Sequence, residues 1–417
     1  MKYLIYLVSL GSAIVPTALC AAQPAGQPAP AASATPDELR SEAKANRAFG
    51  ARLYQQLAKK PGNVFISPVS IAAAFGPVAI GARAETYMAI GRTLGFRPDP
   101  KLLSSRVGGL LRALRTEGDA GSAKVSIANA LWLTNRHPVK AEFVSTVRSD
   151  FDAAAETVNF LDSPAAAKRI NAWVEGETKG KITDLFEEDA FDDKTALVVT
   201  NAVHFLGDWA QPFNAIHTRP EPFFLADGKQ RQVPMMSGEK GVKYFEDGQL
   251  QMIDLPYKGG ALSMVVVLPK ARGGLPALEA QLSDATLGEW LQKLDTSSPP
   301  DFVQGVYVQL PKVQMDNDHN LVDPLKAMGM GIAFDRVRAN FRGMSEEQLF
   351  ISDVLHKTFL RIDEKGTEAA AATAVVMGAE RSGPELHFRA DHPFLVLIRD
   401  RRTGAILFLG RISDPGA

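Results

Sequence analysis

Cysteine is nearly missing: the 417 residues hold one, Cys20, so no disulfide can form within a monomer and the core alone must hold the fold. An excess of either charge is missing too, with 46 Lys and Arg against 47 Asp and Glu and a formal net charge of -1. No global field recruits nucleic acid or an anionic membrane, so partner choice falls to a local site. A membrane span is also lacking. The apolar run Tyr3 to Val15 falls short of the roughly 20 residues that a helix needs to cross a bilayer. Preceded by Lys2 and followed by Pro16 and small residues through Ala22, it reads as a cleaved export signal over residues 1–22. Lipid attachment at Cys20 is the weaker alternative, because bulky Leu19 stands where such signals usually carry a small residue.

Enzyme signatures are absent as well. There is no Gly-x-Ser-x-Gly elbow, no His-Glu-x-x-His and no Gly-x-x-x-x-Gly-Lys-Ser/Thr loop. The seven histidines, His137, His204, His217, His319, His356, His387 and His392, show no i, i+4 pair and have no cysteine companions, so no metal and no cofactor is expected. Gly176 to Lys181 looks superficially like a phosphate cradle but sits where a helix ends. Lys101, Arg106, Arg112, Arg115 and Lys124 read as a solvated helix surface, with a polyanion-binding face as the alternative.

What is present is ordinary globular composition, 46% hydrophobic and 22% charged. Residues 23–36, rich in Ala, Pro, Gln, Gly and Ser, read as a flexible linker. The folded part then starts abruptly, with Thr35 as N-cap, Pro36 in the first turn and Glu38 closing a capping box, before Phe49, Leu53 and Leu57 at helical spacing. Another helix is expected from Ser163, as cap, through Ala165 to Thr178, with Ile170, Trp173 and Val174 on its apolar face and Gly180 ending it. Continuous apolar runs at Ala196 to Phe205 and Leu262 to Leu268 suit strands buried on both faces. Further strands are expected at Pro393 to Ile398 and Ala405 to Ile412. Helices grouped early and strands mostly late predict an α+β fold. No later linker divides residues 37–417, which predicts a single domain.

One segment is locally divided against itself. In Asp363-Glu364-Lys365-Gly366-Thr367-Glu368-Ala369-Ala370-Ala371-Ala372-Thr373-Ala374-Val375-Val376 the alanines favour helix, whereas Thr373, Val375 and Val376 favour strand. This string resembles the hinge of inhibitory serpins. Four further stretches, in the family's order, resemble serpin signatures: Asn63 to Ile71, Asn171 to Ile182, Thr200 to Trp209 and Ala390 to Leu395. The resemblance covers residues 37–414 and implies a serpin fold, with a large mainly antiparallel sheet, smaller sheets and a reactive loop at about 364–389. It points to an exported, bacterial, inhibitory member.

The resemblance implies that Ser67, Ser70, Asn201 and His356 form a polar cluster where the main sheet opens, and that Lys312 and Glu364 pair near Trp209. It further implies a monomeric suicide substrate with no catalytic residue of its own. After cleavage the loop enters the sheet and traps a serine protease, trypsin-like or Glu-specific, as a covalent 1:1 complex. With the strand period of two, Thr367, Ala369, Ala371, Thr373 and Val375 face inward, while Glu368, Ala370, Ala372 and Ala374 face outward. Gly366 gives the turn its freedom, and Thr367 is expected near the surface before insertion. Family spacing puts the scissile bond at Glu380-Arg381, whereas side-chain chemistry favours Arg381-Ser382, with elastase-like cleavage after Ala379 or Met377 as a further alternative. A non-inhibitory serpin would not need so small and uncharged a hinge, and a secreted hydrolase would need a nucleophile and base that no motif identifies.

Overall fold

The computed structural model describes residues 35–97, 99, 102–109, 123–297, 305–367 and 386–416. The export signal, most of the linker, and the loop from Glu368 to Glu385, with Ala369, Ala370, Ala371, Ala372, Thr373, Glu380, Arg381 and Ser382, lie outside the described residues.

Helices lead, as the patterning predicts. Helix α1 (Pro36–Leu57) opens with the capping box: the Glu38 N–H donates to Thr35 Oγ1 at 3.3 Å and the Thr35 N–H donates to the Glu38 carboxylate at 2.9 Å. Phe49 and Leu53 are fully buried. Helix α2 (Pro68–Gly81) is apolar on nearly all sides and accordingly runs through the interior, capped by Ser67, whose hydroxyl accepts from the Ser70 N–H. Helices α3 (Ala84–Leu94), α4 (102–109), α5 (Ala141–Phe151) and α6 (Ser163–Glu177) follow. The cap of α6 is Asp162 rather than Ser163. Asp162 accepts from the Ala165 N–H, while the Ser163 hydroxyl is taken by the Phe191 N–H, a partner distant in sequence.

Three sheets carry the rest. The main one runs β11 (Val313–Asn320), β12 (Ile351–Ile362), β13 (Gly366–Thr367), β4 (Leu197–Asp208), β2 (Ala123–Thr134), β3 (Ala154–Val158). A second runs β1 (Val64–Ile66), β16 (Ile406–Ile412), β15 (Phe394–Asp400), β9 (Leu262–Pro269), β8 (Leu250–Pro256), β7 (Lys243–Glu246). The third runs β14 (Leu386–Arg389), β10 (Val306–Pro311), β6 (Gln230–Lys240), β5 (Arg219–Phe224). The continuous apolar runs become β4, β9, β15 and β16, which are buried nearly end to end. The main sheet is covered on both faces. Helix α6 packs Ile170 and Val174 on Trp132, Ala128 and Ala202, with Trp173 edge-on to Trp132 at 5.5 Å, and α2 lies against the opposite face.

The hinge also departs from its expected place. Thr367 is not near the surface: it is fully buried, and with Gly366 it already forms a strand between β12 and β4. Below that point β12 and β4 pair directly and in parallel, from Ile351 opposite Leu197 to Phe359 opposite His204. Above it they diverge, and β13 fills the fork. The physical reason is a pair of unmet needs that the local sequence does not display. The diverging strand ends carry backbone groups that must be paired when buried, and the buried hydroxyl of Tyr257 needs a partner. Thr367 supplies it at 2.8 Å.

Candidate site of sheet opening

At the middle of the main sheet four polar side chains share one row. Asn129 on β2 is in register with Asn201 on β4, Asn201 with His356 on β12, and His356 with His319 on β11. Two serines from the N-terminus of α2 meet this row from below. The Ser67 N–H donates to His356 Nε2 at 3.0 Å, so the ring proton sits on Nδ1, which donates to Asn201 Oδ1 at 2.5 Å. The same Asn201 oxygen accepts from the Ser70 hydroxyl at 2.8 Å, while its amide donates to Asn129 Oδ1 and to the Ser70 carbonyl. Burial, with His319 beside it, pushes His356 well below the ordinary histidine range and keeps it neutral. Ser67, Ser70, Asn129, Asn201 and His356 are joined by hydrogen bonds, the condition under which a buried polar network specifies one arrangement, whereas the buried Nε2 of His319 has no hydrogen-bond partner among the described residues. It sits on the seam between β4 and β12. Asn129 and His319 belong to the row and escaped the sequence reading, because only strand register brings them there.

At the top of the same seam the chain reverses through Asp363, Glu364 and Lys365. Lys312 Nζ lies 2.9 Å from Glu364 Oε2, and the Thr218 hydroxyl donates to Glu364 Oε1. Burial alone would raise the Glu364 carboxyl; the bonds from Lys312, its own backbone and Thr218 outweigh that and hold it below its usual range. Trp209 donates from its ring nitrogen to the Asp363 carbonyl at 3.0 Å and from its backbone to the Lys365 carbonyl at 2.7 Å. Its ring stacks on Tyr257 at 4.7 Å. Gly366 passes so close to β4 that a Cβ there would stand 1.9 Å from the Gly207 oxygen, which only glycine avoids.

A helix-surface reading of the basic residues fails at Arg106, which is buried and turned toward Glu38 and Glu42 at 3.7 and 3.9 Å. It therefore cannot face a polyanion. Lys101, Arg112 and Arg115 lie outside the described residues. Among the described residues no cluster of His, Cys, Asp and Glu could hold a metal ion.

A family model described as serpin, serine protease inhibitor, matches residues 44–415. The chain belongs to the serpin family. The serpin is 37% identical over 364 residues to a leukocyte elastase inhibitor of Xenopus tropicalis, covering 85% of this chain and 93% of that protein. Human thyroxine-binding globulin, solved in complex with thyroxine, superposes with a TM-score of 0.81 at 30% identity, covering 91% of this chain and 99% of that one. Uncleaved ovalbumin superposes with a TM-score of 0.80 at 30% identity, over 89% of this chain and 99% of that one. These neighbours show the α+β serpin fold. They include an elastase inhibitor and a thyroxine-binding globulin, so family membership by itself does not fix this serpin's activity.

Proposed function

We propose that this serpin is a serine-type endopeptidase inhibitor that acts as a suicide substrate and has no catalytic activity of its own. The observation that carries the reading is β13: the loop's first two residues already pair with β12 on one side and β4 on the other. Continuing that register, each further loop residue meets one residue further down each neighbour. Ala369 then falls between Phe205 and Leu360, Ala371 between Val203 and Thr358, and Thr373 between Asn201 and His356, inside the polar cluster. The outward set fits as well. Glu368 reaches Arg361, which is exposed, so its carboxylate stays solvated rather than incurring the several kcal/mol of unpaired burial. Ala372 and Ala374 pass beside Ala202 and Leu355, in the layer covered by α6, where only small side chains fit.

The chemistry is the protease's. Its serine oxygen attacks the carbonyl of Glu380 or Arg381, an ester forms, and the amine of Arg381 or Ser382 leaves with the C-terminal fragment. Hydrolysis of that ester would complete ordinary cleavage. With Gly366 and Thr367 already in the sheet, insertion of residues 368–380 moves the acylated end by roughly 43 Å at about 3.3 Å per residue, and the attached protease is distorted before water acts. Glu380 favours a Glu-specific target and Arg381 a trypsin-like one, in a covalent 1:1 complex with a monomeric inhibitor.

Export with removal of residues 1–22, a linker at 23–36 and one domain over 37–417 complete the proposal, resting on the sequence; N-terminal sequencing of the mature protein tests it. Among the described residues no helix is long and apolar enough to cross a membrane. A carrier role is the rival within the family, and the uncharged run Ala369 to Ala374 speaks against it. Mixing the protein with a panel of serine proteases separates the two. A denaturant-resistant complex on a gel is expected with at least one, and rapid cleavage by all of them without a complex would remove the inhibitory reading.

A further inference from the structure

Lys240, the last residue of β6, is only 5% exposed. The sole hydrogen-bond partner of its ammonium among the described residues is the carbonyl of Pro212, at 2.7 Å, and the ammonium lies 4.1 Å from the centre of the Phe213 ring. Burial with no compensating carboxylate pushes the ammonium down to about 8. An arrangement this costly stays only if the contacts it makes are worth keeping. Those contacts land on one short segment, 209–213, and the other side of that segment holds the hinge. The Phe213 N–H donates to the Glu364 carbonyl, the Trp209 N–H to the Lys365 carbonyl, and the Trp209 ring to the Asp363 carbonyl. A second tie runs parallel to Lys240, from the Gly241 N–H to the side chain of Gln211 at 3.0 Å.

We propose that Lys240 is a positioning residue for loop insertion: by clamping Pro212 and Phe213 to the end of β6 it fixes the turn Asp363–Lys365 and thereby the register in which the loop enters the sheet. The role rests on the inhibitory reading above. Register matters because a slip of one residue turns every side chain to the other face. Glu368 would then point into the core and Thr367 out, and insertion would stall while the acyl-enzyme hydrolyses. Three carbonyls of the turn are held by 209–213, so slack in that segment is slack in the register.

The test compares wild type with Lys240→Met, which keeps the stem and removes the donor and charge, and with Gln211→Ala, an exposed site where folding is not at stake. Hydrogen exchange at the Trp209 and Phe213 amides is read without protease. The ratio of cleaved to trapped inhibitor, and the rate of acylation, are read with one protease that wild type traps. Expected are about tenfold faster exchange in Lys240→Met, a cleaved-to-trapped ratio at least doubled, an unchanged acylation rate, and a smaller change of the same sign in Gln211→Ala. Unchanged exchange at 209–213 overturns the clamp, and faster exchange with an unchanged ratio overturns its role in register. If Lys240→Met does not fold, Gln211→Ala carries both readouts. If wild type traps no protease, the inhibitory reading falls while exchange alone still decides the clamp.

Discussion

Replacing Thr367 by arginine separates the parked hinge from a free one. Thr367 is fully buried against Tyr257, whose ring packs on Phe205 and Trp209, and its partner on β12, Ile362, is apolar. A guanidinium held there without a partner costs about 3–5 kcal/mol. Letting β13 leave the fork instead gives up the Thr367 to Tyr257 bond and its few ladder bonds and leaves a buried phenol unpaired, for about 2–4 kcal/mol. The second route is no worse than the first, so Thr367→Arg should expel the hinge and lower stability by about 2–4 kcal/mol. After acylation the same arginine must re-enter the seam. A delay of about 4 kcal/mol there slows insertion roughly a thousandfold, so the variant should be cleaved rather than trap. Ala371→Arg is the control, since Ala371 faces inward in the extended register but lies beyond β13: it should block trapping equally and leave native stability unchanged. The assays are urea unfolding and the ratio of cleaved to trapped inhibitor with one protease. Trapping by Thr367→Arg at the wild-type ratio would refute the inward register. Wild-type stability in that variant would refute the parked hinge.

Three further outcomes follow from the same geometry. Gly366→Ala puts a Cβ 1.9 Å from the Gly207 oxygen and should unseat β13 without adding charge, seen as faster amide exchange at Gly366 and Thr367. Lowering the pH should cost stability through His356, whose folded value is depressed. An unfolded histidine takes a proton near pH 6.5, so His356's contribution is whole above that and is lost as pH falls toward the folded value, by about 1.4 kcal/mol per pH unit. A His356→Asn variant should lose less over the same range, and an identical slope would exclude His356 as the source. Nicking the loop between Val376 and Ser382 should raise the melting midpoint, because insertion relieves a kinetically held state; an unchanged midpoint would contradict it.

Much of this was legible in sequence where the signal is local. The capping box at Thr35 and Glu38 and the all-apolar strands each announce themselves within a few positions. What stayed hidden depends on partners far along the chain. Thr367 is buried because Tyr257, 110 residues away, offers an unpaired hydroxyl, and Asn129 and His319 enter the polar row only through strand register. Asp162 displaces Ser163 as a cap because Phe191 claims the serine. Arg106 sits on a segment that reads as a charged helix surface, yet it turns inward to two glutamates.

Trapping requires that the cleaved loop become a strand between β12 and β4. A crystal structure of the protein cleaved after Glu380 or Arg381 tests it most directly. In that structure the parallel pairing of β12 with β4, from Ile351 to Phe359, should be replaced by one strand antiparallel to both, with Thr373 between Asn201 and His356. A cleaved loop lying outside the sheet, with His356 still paired to Asn201, would contradict it.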